Sequence, residues 1–261
     1  MKRVNYILLL SFAIFSIGKL HAQKDYKIPV QNTKEGKLTL NDFPGDLPVE
    51  GYSGSEIIIT SDMDEKTPDR AKGLQPVYAG GTDNTGMAID VEKNGSEVTL
   101  QCLLPITRSA NYKIKVPDNF SVEISNDCGH SGDVKVDNIK GEVAVKNCQG
   151  IKVNNVSGPL VLSTISGNIN INFTTLAKDR TISLASISGE IDVTVPPTSG
   201  VNLEMENISG NIYSDFDFPS DDKKMRRIGG NTINTSLNGG GADLRITNVS
   251  GNIYFRKGKP A

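Results

Sequence analysis

Short runs of alternating polar and apolar residues recur along the chain, and most of them follow a glycine. Two clear examples are residues 167–173 (GNININF) and 189–195 (GEIDVTV). Alternation that is rich in β-branched residues is typical of strands with one buried face. The pattern therefore predicts an all-β chain of short strands with very little helix.

The glycines that precede these runs are almost evenly spaced, which indicates an internal repeat. Intervals of 9, 9, 8 and 9 residues separate Gly132, Gly141, Gly150, Gly158 and Gly167. The next two intervals, which end at Gly189 and Gly210, are 22 and 21 residues long. Two short intervals therefore nearly make one long interval.

The residues before each glycine also repeat. Three places before it stands a small polar residue and two places before it an apolar one, as in residues 207–213 (NISGNIY) and 248–254 (NVSGNIY). We interpret Asn207 and Asn248 as corner residues of a polar ladder and Ile208 and Val249 as core residues. The two segments are then one corner that recurs roughly two coils further along the chain.

Corners that recur in the same order favour a β-solenoid, a single-stranded parallel β-helix that we expect to be right-handed. Its coils stack at ~4.8 Å, which places equivalent residues above one another. An antiparallel sandwich is the alternative, but the two-residue Asn-Gly and Asp-Gly turns typical of hairpins are nearly absent. The predicted corner and ladder residues are Asn155, Gly158, Gly167, Gly189, Asn207, Gly210, Asn248 and Gly251.

Two segments interrupt the repeat and are interpreted as loop excursions from an otherwise regular stack. Residues 63–95 are rich in glycine and asparagine, and residues 215–230 are highly charged. Loops that leave a rigid scaffold often carry binding residues. Specificity is therefore expected in these two segments.

Residues 1–22 have the form of a secretory signal peptide. Lys2 and Arg3 precede an apolar stretch at residues 6–17, which is too short to span a bilayer, and the segment ends at Ala22. The remaining residues, 23–261, are predicted to form one exported domain without a transmembrane segment. Loss of the leader changes the formal net charge from −2 to −5 and leaves no basic stripe for nucleic acid.

Three cysteines, Cys102, Cys128 and Cys148, allow at most one disulfide. Cys128 and Cys148 are 20 residues apart, close to one coil, and could stack within bonding distance. Two other interpretations remain: Cys148 as a buried apolar residue, and a metal site that includes His130. A structural zinc site needs four ligands, and only three candidates are present, so no metal or cofactor is predicted.

Candidates for catalysis are few. The serines before the corner glycines recur in every coil, which is typical of turn residues rather than of a nucleophile. Carboxylate pairs could in principle cleave a polysaccharide, and the candidates are Asp133, Asp137, Glu142, Glu190 and Asp192. Acidic and basic residues alternate at these outward positions, however, as they do on a solvated face. No catalytic residue is predicted.

Three segments carry a resemblance to a known family. They are residues 36–54 (GKLTLNDFPGDLPVEGYSG), 156–171 (VSGPLVLSTISGNINI) and 237–258 (LNGGGADLRITNVSGNIYFRKG). The chain resembles the bacterial putative-adhesin family of β-strand repeats, a domain of unknown function common in exported proteins of Gram-negative bacteria. The resemblance implies a single-stranded β-helix and an adhesive role, and it brings no catalytic residues.

The sequence therefore predicts a non-enzymatic, exported β-solenoid that serves as an adhesin or envelope protein. Its expected partner is a glycan or a protein in the periplasm, at the outer-membrane surface or outside the cell. A polysaccharide-active β-helix enzyme is one alternative function. A periplasmic scaffold or sensory module is another.

Overall fold

The computed structural model describes residues 24–63, 68–74, 76–218 and 231–258. The predicted signal peptide and most of the charged excursion at residues 215–230 lie outside these ranges. The only helical segment within them is one 3₁₀ turn at Asp69–Ala71, which is far too short to cross a membrane. The described chain is otherwise built from 22 strands.

The strands occur in the following order along the chain. The first eleven are β1 Lys24–Pro29, β2 Lys37–Asn41, β3 Gly45–Tyr52, β4 Glu56–Ser61, β5 Val77–Tyr78, β6 Gly81–Thr82, β7 Ile89–Asn94, β8 Glu97–Cys102, β9 Tyr112–Pro117, β10 Ser121–Ser125 and β11 Ser131–Asp137. The others are β12 Val143–Asn147, β13 Ile151–Asn154, β14 Leu160–Ser166, β15 Ile169–Asn172, β16 Thr181–Ser188, β17 Ile191–Val195, β18 Val201–Ser209, β19 Ile212–Ser214, β20 Asn231–Leu237, β21 Ala242–Ser250 and β22 Ile253–Lys257.

Two long sheets contain all of these strands except β5 and β6. Sheet A has the order β1-β4-β9-β3-β11-β13-β15-β17-β22-β19, and sheet B has the order β7-β8-β2-β10-β12-β14-β16-β21-β18-β20. One coil consists of a strand in sheet B and the next strand in sheet A, as in β14 and β15. Neighbouring coils pair in parallel, and the antiparallel pairs lie at the sheet ends. The chain is therefore all-β with long parallel sheets, as the alternation predicted.

The core lies between the two sheets and is filled by one side chain in two from each strand. In β18, Val201, Leu203 and Met205 are buried, and the intervening residues face outward. Buried residues of both sheets form one continuous cluster. Because each coil buries its apolar face only against its neighbours, the stack is stabilised cooperatively.

The alternation also corrects the interpretation of Ile208 and Val249 as core residues. The inward positions of β18 continue from Met205 to Asn207, so that Ile208 points outward and is 51% exposed. Val249 is 39% exposed for the same reason. With Ile165 and Ile187 these side chains form an exposed apolar column, and the buried column beside it is polar.

The buried polar column bonds mainly to glycine corners rather than to itself. Asn248 Nδ2 donates to the carbonyl oxygen of Gly189 at 3.1 Å, and Asn207 Nδ2 donates to that of Gly251 at 3.0 Å. Each amide thus satisfies a backbone carbonyl of an adjacent coil, which would otherwise be buried without a partner. The predicted side-chain ladder is present between Asn126 and Asn147, whose amides lie 3.3 Å apart.

Asn155 belongs to a second column at the opposite corner, where the chain returns from sheet A to sheet B. Its side chain is exposed, its φ is +51°, and its Nδ2 donates to Asn138 Oδ1 at 2.7 Å. Gly158 lies in the same corner, whereas Gly167, Gly189, Gly210 and Gly251 lie where sheet B passes into sheet A. The evenly spaced glycines of the sequence therefore do not form one series of equivalent positions. They form two series, one for each corner of the coil.

The coil order in space differs from the order in the sequence at both ends. The last coil, β21 and β22, lies between the coils β16/β17 and β18/β19. Asn207 and Asn248 are consequently direct partners in adjacent parallel strands, and the predicted separation of roughly two coils is wrong. At the other end, the coil β8/β9 lies outside β2/β3, which separates it from β10/β11.

The predicted excursion at residues 63–95 is too long. Its last part forms β7, which pairs antiparallel with β8 and makes the edge of sheet B. Residues 77–82 form a separate small hairpin of β5 and β6. The segment is secured by Asp83, whose carboxylate accepts hydrogen bonds from the backbone N–H groups of Gly86 and Ala88 at 2.8 and 3.0 Å. Residues 89–94 are thus part of the stack rather than of a loop.

Candidate ligand-binding groove

A groove lined by both polar and apolar residues lies on the outer face of sheet A, close to β22. Its floor is formed by outward side chains of β13, β15, β17 and β22, which are aligned by parallel pairing. One row contains Lys152, Asn170, Asp192 and Tyr254, and the next contains Asn154, Asn172, Thr194 and Arg256. These residues occupy the outward half of each strand because their neighbours fill the core.

The walls of the groove are two successive returns from sheet A to sheet B. Residues 173–178 follow β15, and residues 196–200 follow β17. They add hydroxyl groups from threonine and serine, and apolar edges from Leu176, Pro196 and Pro197. The groove is open to solvent and has a volume of about 1160 Å³. This is larger than a typical small-molecule pocket of ~300–1,000 Å³, so the groove can hold an extended ligand.

A pair of charged side chains forms one end of the groove, and two tyrosines lie beside it. Arg256 Nε lies 2.9 and 3.0 Å from the two carboxylate oxygens of Asp192. Its guanidinium carbon is 4.9 Å from the ring centroid of Tyr254, which in turn stacks on Tyr213 at 5.4 Å. Tyr213 is half exposed. The hydrogen bond that Arg256 donates to Asp192, together with the negative charge of Asp192, raises the pKa of the Arg256 side chain, which therefore stays protonated.

The centre of the groove carries amides that are available to a ligand. Asn170 and Asn172 are exposed and have no hydrogen-bond partner within the described part of the chain. Neighbouring amides are used inside the protein, as Asn154 Nδ2 donates to Asp137 Oδ1 at 2.8 Å. An amide presents two donor hydrogens and one acceptor oxygen, a combination that suits a ligand with many hydroxyl groups.

Two of the predicted carboxylates lie at the charged end, and both already have partners. Glu190 Oε1 accepts a hydrogen bond from the Tyr254 hydroxyl at 3.1 Å, and Asp192 is held by Arg256. Both carboxylates are therefore engaged by side chains of β22.

The other predicted carboxylates are not brought together with these two. Asp137 is three strands away from β17, the strand that contains Asp192, which corresponds to ~14 Å at ~4.8 Å per strand. Paired carboxylates of glycosidases lie within ~10 Å. Asp137 also pairs with Lys135 Nζ at 2.7 Å, and Asp133 Oδ1 accepts the Gly150 N–H at 2.9 Å. Glu142 lies in the corner before β12.

The cysteine cluster is a disulfide. Cys128 and Cys148 are bonded, with their Cα atoms 5.1 Å apart, and Cys102 is a buried free thiol. The bond leaves neither sulfur of the pair as a thiolate ligand. No group of three or more potential metal ligands occurs within residues 24–63, 68–74, 76–218 and 231–258.

Sequence reasoning did not find the groove. It placed specificity in residues 63–95 and 215–230, whereas the walls are residues 173–178 and 196–200. The available signal was local: the return after β15 is longer than the return at residues 155–159, and both wall segments follow a strand with polar outward residues. The alignment of Asn170, Asp192 and Tyr254 required the coil order, which the sequence did not provide.

Comparison with known proteins places the chain in a family. The model of the family Toastrack DUF4097 matches residues 113–256. The chain is similar to the solved structure of a putative cell adhesion protein from Clostridium sporogenes, with 12% identity and a TM-score of 0.50 over 91% of this chain and all of that one. A putative adhesin from Bacteroides fragilis has 12% identity and a TM-score of 0.36 over 90% of this chain and 97% of that one. No curated protein matches the chain.

Proposed function

This chain belongs to the Toastrack DUF4097 family of bacterial putative-adhesin domains, and from that premise we propose that it is an exported, non-enzymatic protein that binds a glycan at the cell envelope. The observation that carries the proposal is the row of amides in the groove. The side-chain amides of Asn170 and Asn172 face solvent between hydroxyl-bearing walls, and they have no hydrogen-bond partner in the described part of the chain. A sugar offers hydroxyl groups that can form hydrogen bonds with both the amides and the wall hydroxyls.

A glycan fits this surface better than a folded protein. Protein interfaces are centred on large buried anchors such as tryptophan, tyrosine and arginine that fill pockets on the partner. The lining of the groove carries amides and hydroxyls instead, with apolar edges from its walls, and the stacked pair Tyr213 and Tyr254 lies beside its Arg256 end. A stacked tyrosine pair at that end can contact the apolar face of a sugar ring.

Export is supported by the disulfide between Cys128 and Cys148. Such bonds form and persist in oxidising compartments, which include the periplasm and the cell surface. The predicted signal peptide at residues 1–22 leads to the same compartments. Right-handed winding of the coils remains a prediction.

A binding array tests the proposed function. A protein that comprises residues 23–261 is applied to an array of immobilised glycans and matrix proteins. It is expected to bind a defined group of glycans and to leave those glycans intact. The same protein unfolded by reduction and denaturant serves as the control for non-specific adsorption. Uniformly negative glycan spots, or binding to matrix proteins alone, would contradict the proposal. Shortened glycan chains after incubation would contradict the non-enzymatic part.

Protease treatment of intact cells tests the location. A surface adhesin is expected to be digested when protease is added to intact cells. Digestion only after the outer membrane is opened would support the periplasmic scaffold instead and would contradict the adhesive role. A periplasmic protein that stays intact throughout confirms that the membrane was closed.

A further inference from the structure

The charges that line the groove differ from those of the chain as a whole. Among the residues that the structure describes, the groove is lined by Lys152, Lys178, Arg256 and Lys257, and by a single carboxylate, Asp192. Over the complete sequence, acidic residues exceed basic ones and the formal net charge is −2. A cleft with one sign of charge concentrates ligands of the opposite sign.

Two of these cations have no partner inside the protein. Lys152 and Lys178 are exposed, and no carboxylate lies within ion-pair distance of either one among the residues described. By contrast, Lys135, on the strand beside Lys152, pairs with Asp137 at 2.7 Å. The carboxylate of Asp192, which lines the groove, is already neutralised by Arg256. The groove therefore presents positive charge that is not compensated locally.

The positions of the charges suit a chain molecule. Lys152 on β13 and Arg256 on β22 are separated by β15 and β17, or ~14 Å at ~4.8 Å per strand. The uncharged amides of Asn170 and Asn172 lie between them. A ligand that follows the groove thus meets the unpaired Lys152 near one end, hydrogen-bonding amides in the middle, and Lys257 beside the Arg256–Asp192 pair at the other end.

We propose that the groove binds an anionic polysaccharide, one whose sugar units carry carboxylate or sulfate groups. This inference rests on the proposed function, because it names the class of glycan held at the same site. Lysine ammonium groups act as point charges for the acidic substituents, and the amides bond to the hydroxyl groups. Carboxylate-bearing and sulfate-bearing chains share the chemistry that the groove recognises, and the experiment compares them.

The test uses two matched pairs of polymers. Polygalacturonate is compared with its fully methyl-esterified form, and heparin is compared with desulfated, N-acetylated heparin. We expect binding of at least one charged polymer and at least tenfold weaker binding of its matched partner. Binding of the charged polymer is expected to weaken as salt is raised from about 50 to about 500 mM, because mobile ions screen exposed charges.

Lysine variants locate the binding. Lys152→Ala and Lys178→Ala are each expected to weaken binding about fivefold, since one lysine near an anionic surface contributes roughly that factor. Lys146→Ala is the matched control, because Lys146 is an exposed lysine on the outer face of sheet B. The control is expected to bind like the wild type. Thermal unfolding of each variant confirms that the fold is retained.

Three results would overturn the inference. They are equal binding of the charged and esterified or desulfated polymers, binding of neither charged polymer, and equal loss in Lys146→Ala and Lys152→Ala. A neutral glycan that binds the array would leave the proposed function intact while this inference fails. An array without any bound glycan would remove both.

Discussion

Replacing Gly158 with alanine is expected to lower the free energy of unfolding by about 3 kcal/mol or more. A Cβ atom on Gly158 would lie 1.8 Å from the carbonyl oxygen of Gly141 and 2.3 Å from its carbonyl carbon. Both are backbone atoms of the neighbouring coil, and neither can move away without disturbing the pairing of β12 with β14. Equilibrium unfolding in urea measures the loss.

The matched control for this prediction is Gly80→Ala. A Cβ atom on Gly80 would meet only Leu103 Cδ2, at 3.5 Å, which is an ordinary van der Waals contact. Its expected effect is within ~0.5 kcal/mol, as for most surface substitutions. Equal stabilities of the two variants would show that the coils are not packed backbone against backbone at this corner.

Loss of the disulfide is expected to lower the free energy of unfolding by about 3 kcal/mol. Cys128 and Cys148 are 20 residues apart, and the bond restricts the loop that they close in the unfolded chain. The Cys128→Ala/Cys148→Ala double variant should show this loss in urea unfolding. Wild-type protein in excess reductant should fall to nearly the same stability.

Cys102→Ala is the control for the disulfide. It removes a buried thiol but keeps the bond, so that its stability should remain sensitive to reductant. The double variant should be insensitive to reductant. A wild-type protein whose unfolding midpoint is the same with and without reductant would contradict the stabilising role of the bond.

The all-β class and the parallel sheets could be predicted because the same pattern recurs in every coil. Alternation identifies strands locally, and the repeated order of corners identifies parallel stacking. The exposure of Ile208 could also have been predicted. Val201, Leu203, Met205 and Asn207 share one face of β18, so the two-residue period assigns Asn207 to the inside.

The coil order could not be predicted from the repeat. Residues 201–209 and 242–250 have nearly interchangeable patterns, and either strand could pair with β16. In the structure β21 pairs with both β16 and β18, and β20 pairs antiparallel with the far side of β18. The choice depends on how the intervening chain returns, which the local pattern does not specify.

The groove depends on that coil order. Arg256 reaches Asp192 because β22 lies beside β17, although the two residues are 64 positions apart in the sequence. Had β19 occupied that place, Tyr213 would lie next to Asp192 instead. The candidate site is therefore a product of long-range strand order, and a search for local motifs misses it.

Blocking the groove tests the central claim most directly. Asn172→Trp places an indole on the floor of the groove, and Ser163→Trp places one at an exposed position on the outer face of sheet B. Binding of wild type and both variants is measured with the glycan that the array identifies. We expect at least tenfold weaker binding for Asn172→Trp, a loss of ~1.4 kcal/mol, and wild-type affinity for Ser163→Trp. Unchanged binding of Asn172→Trp, with both variants folded, would contradict the assignment of the groove as the ligand site.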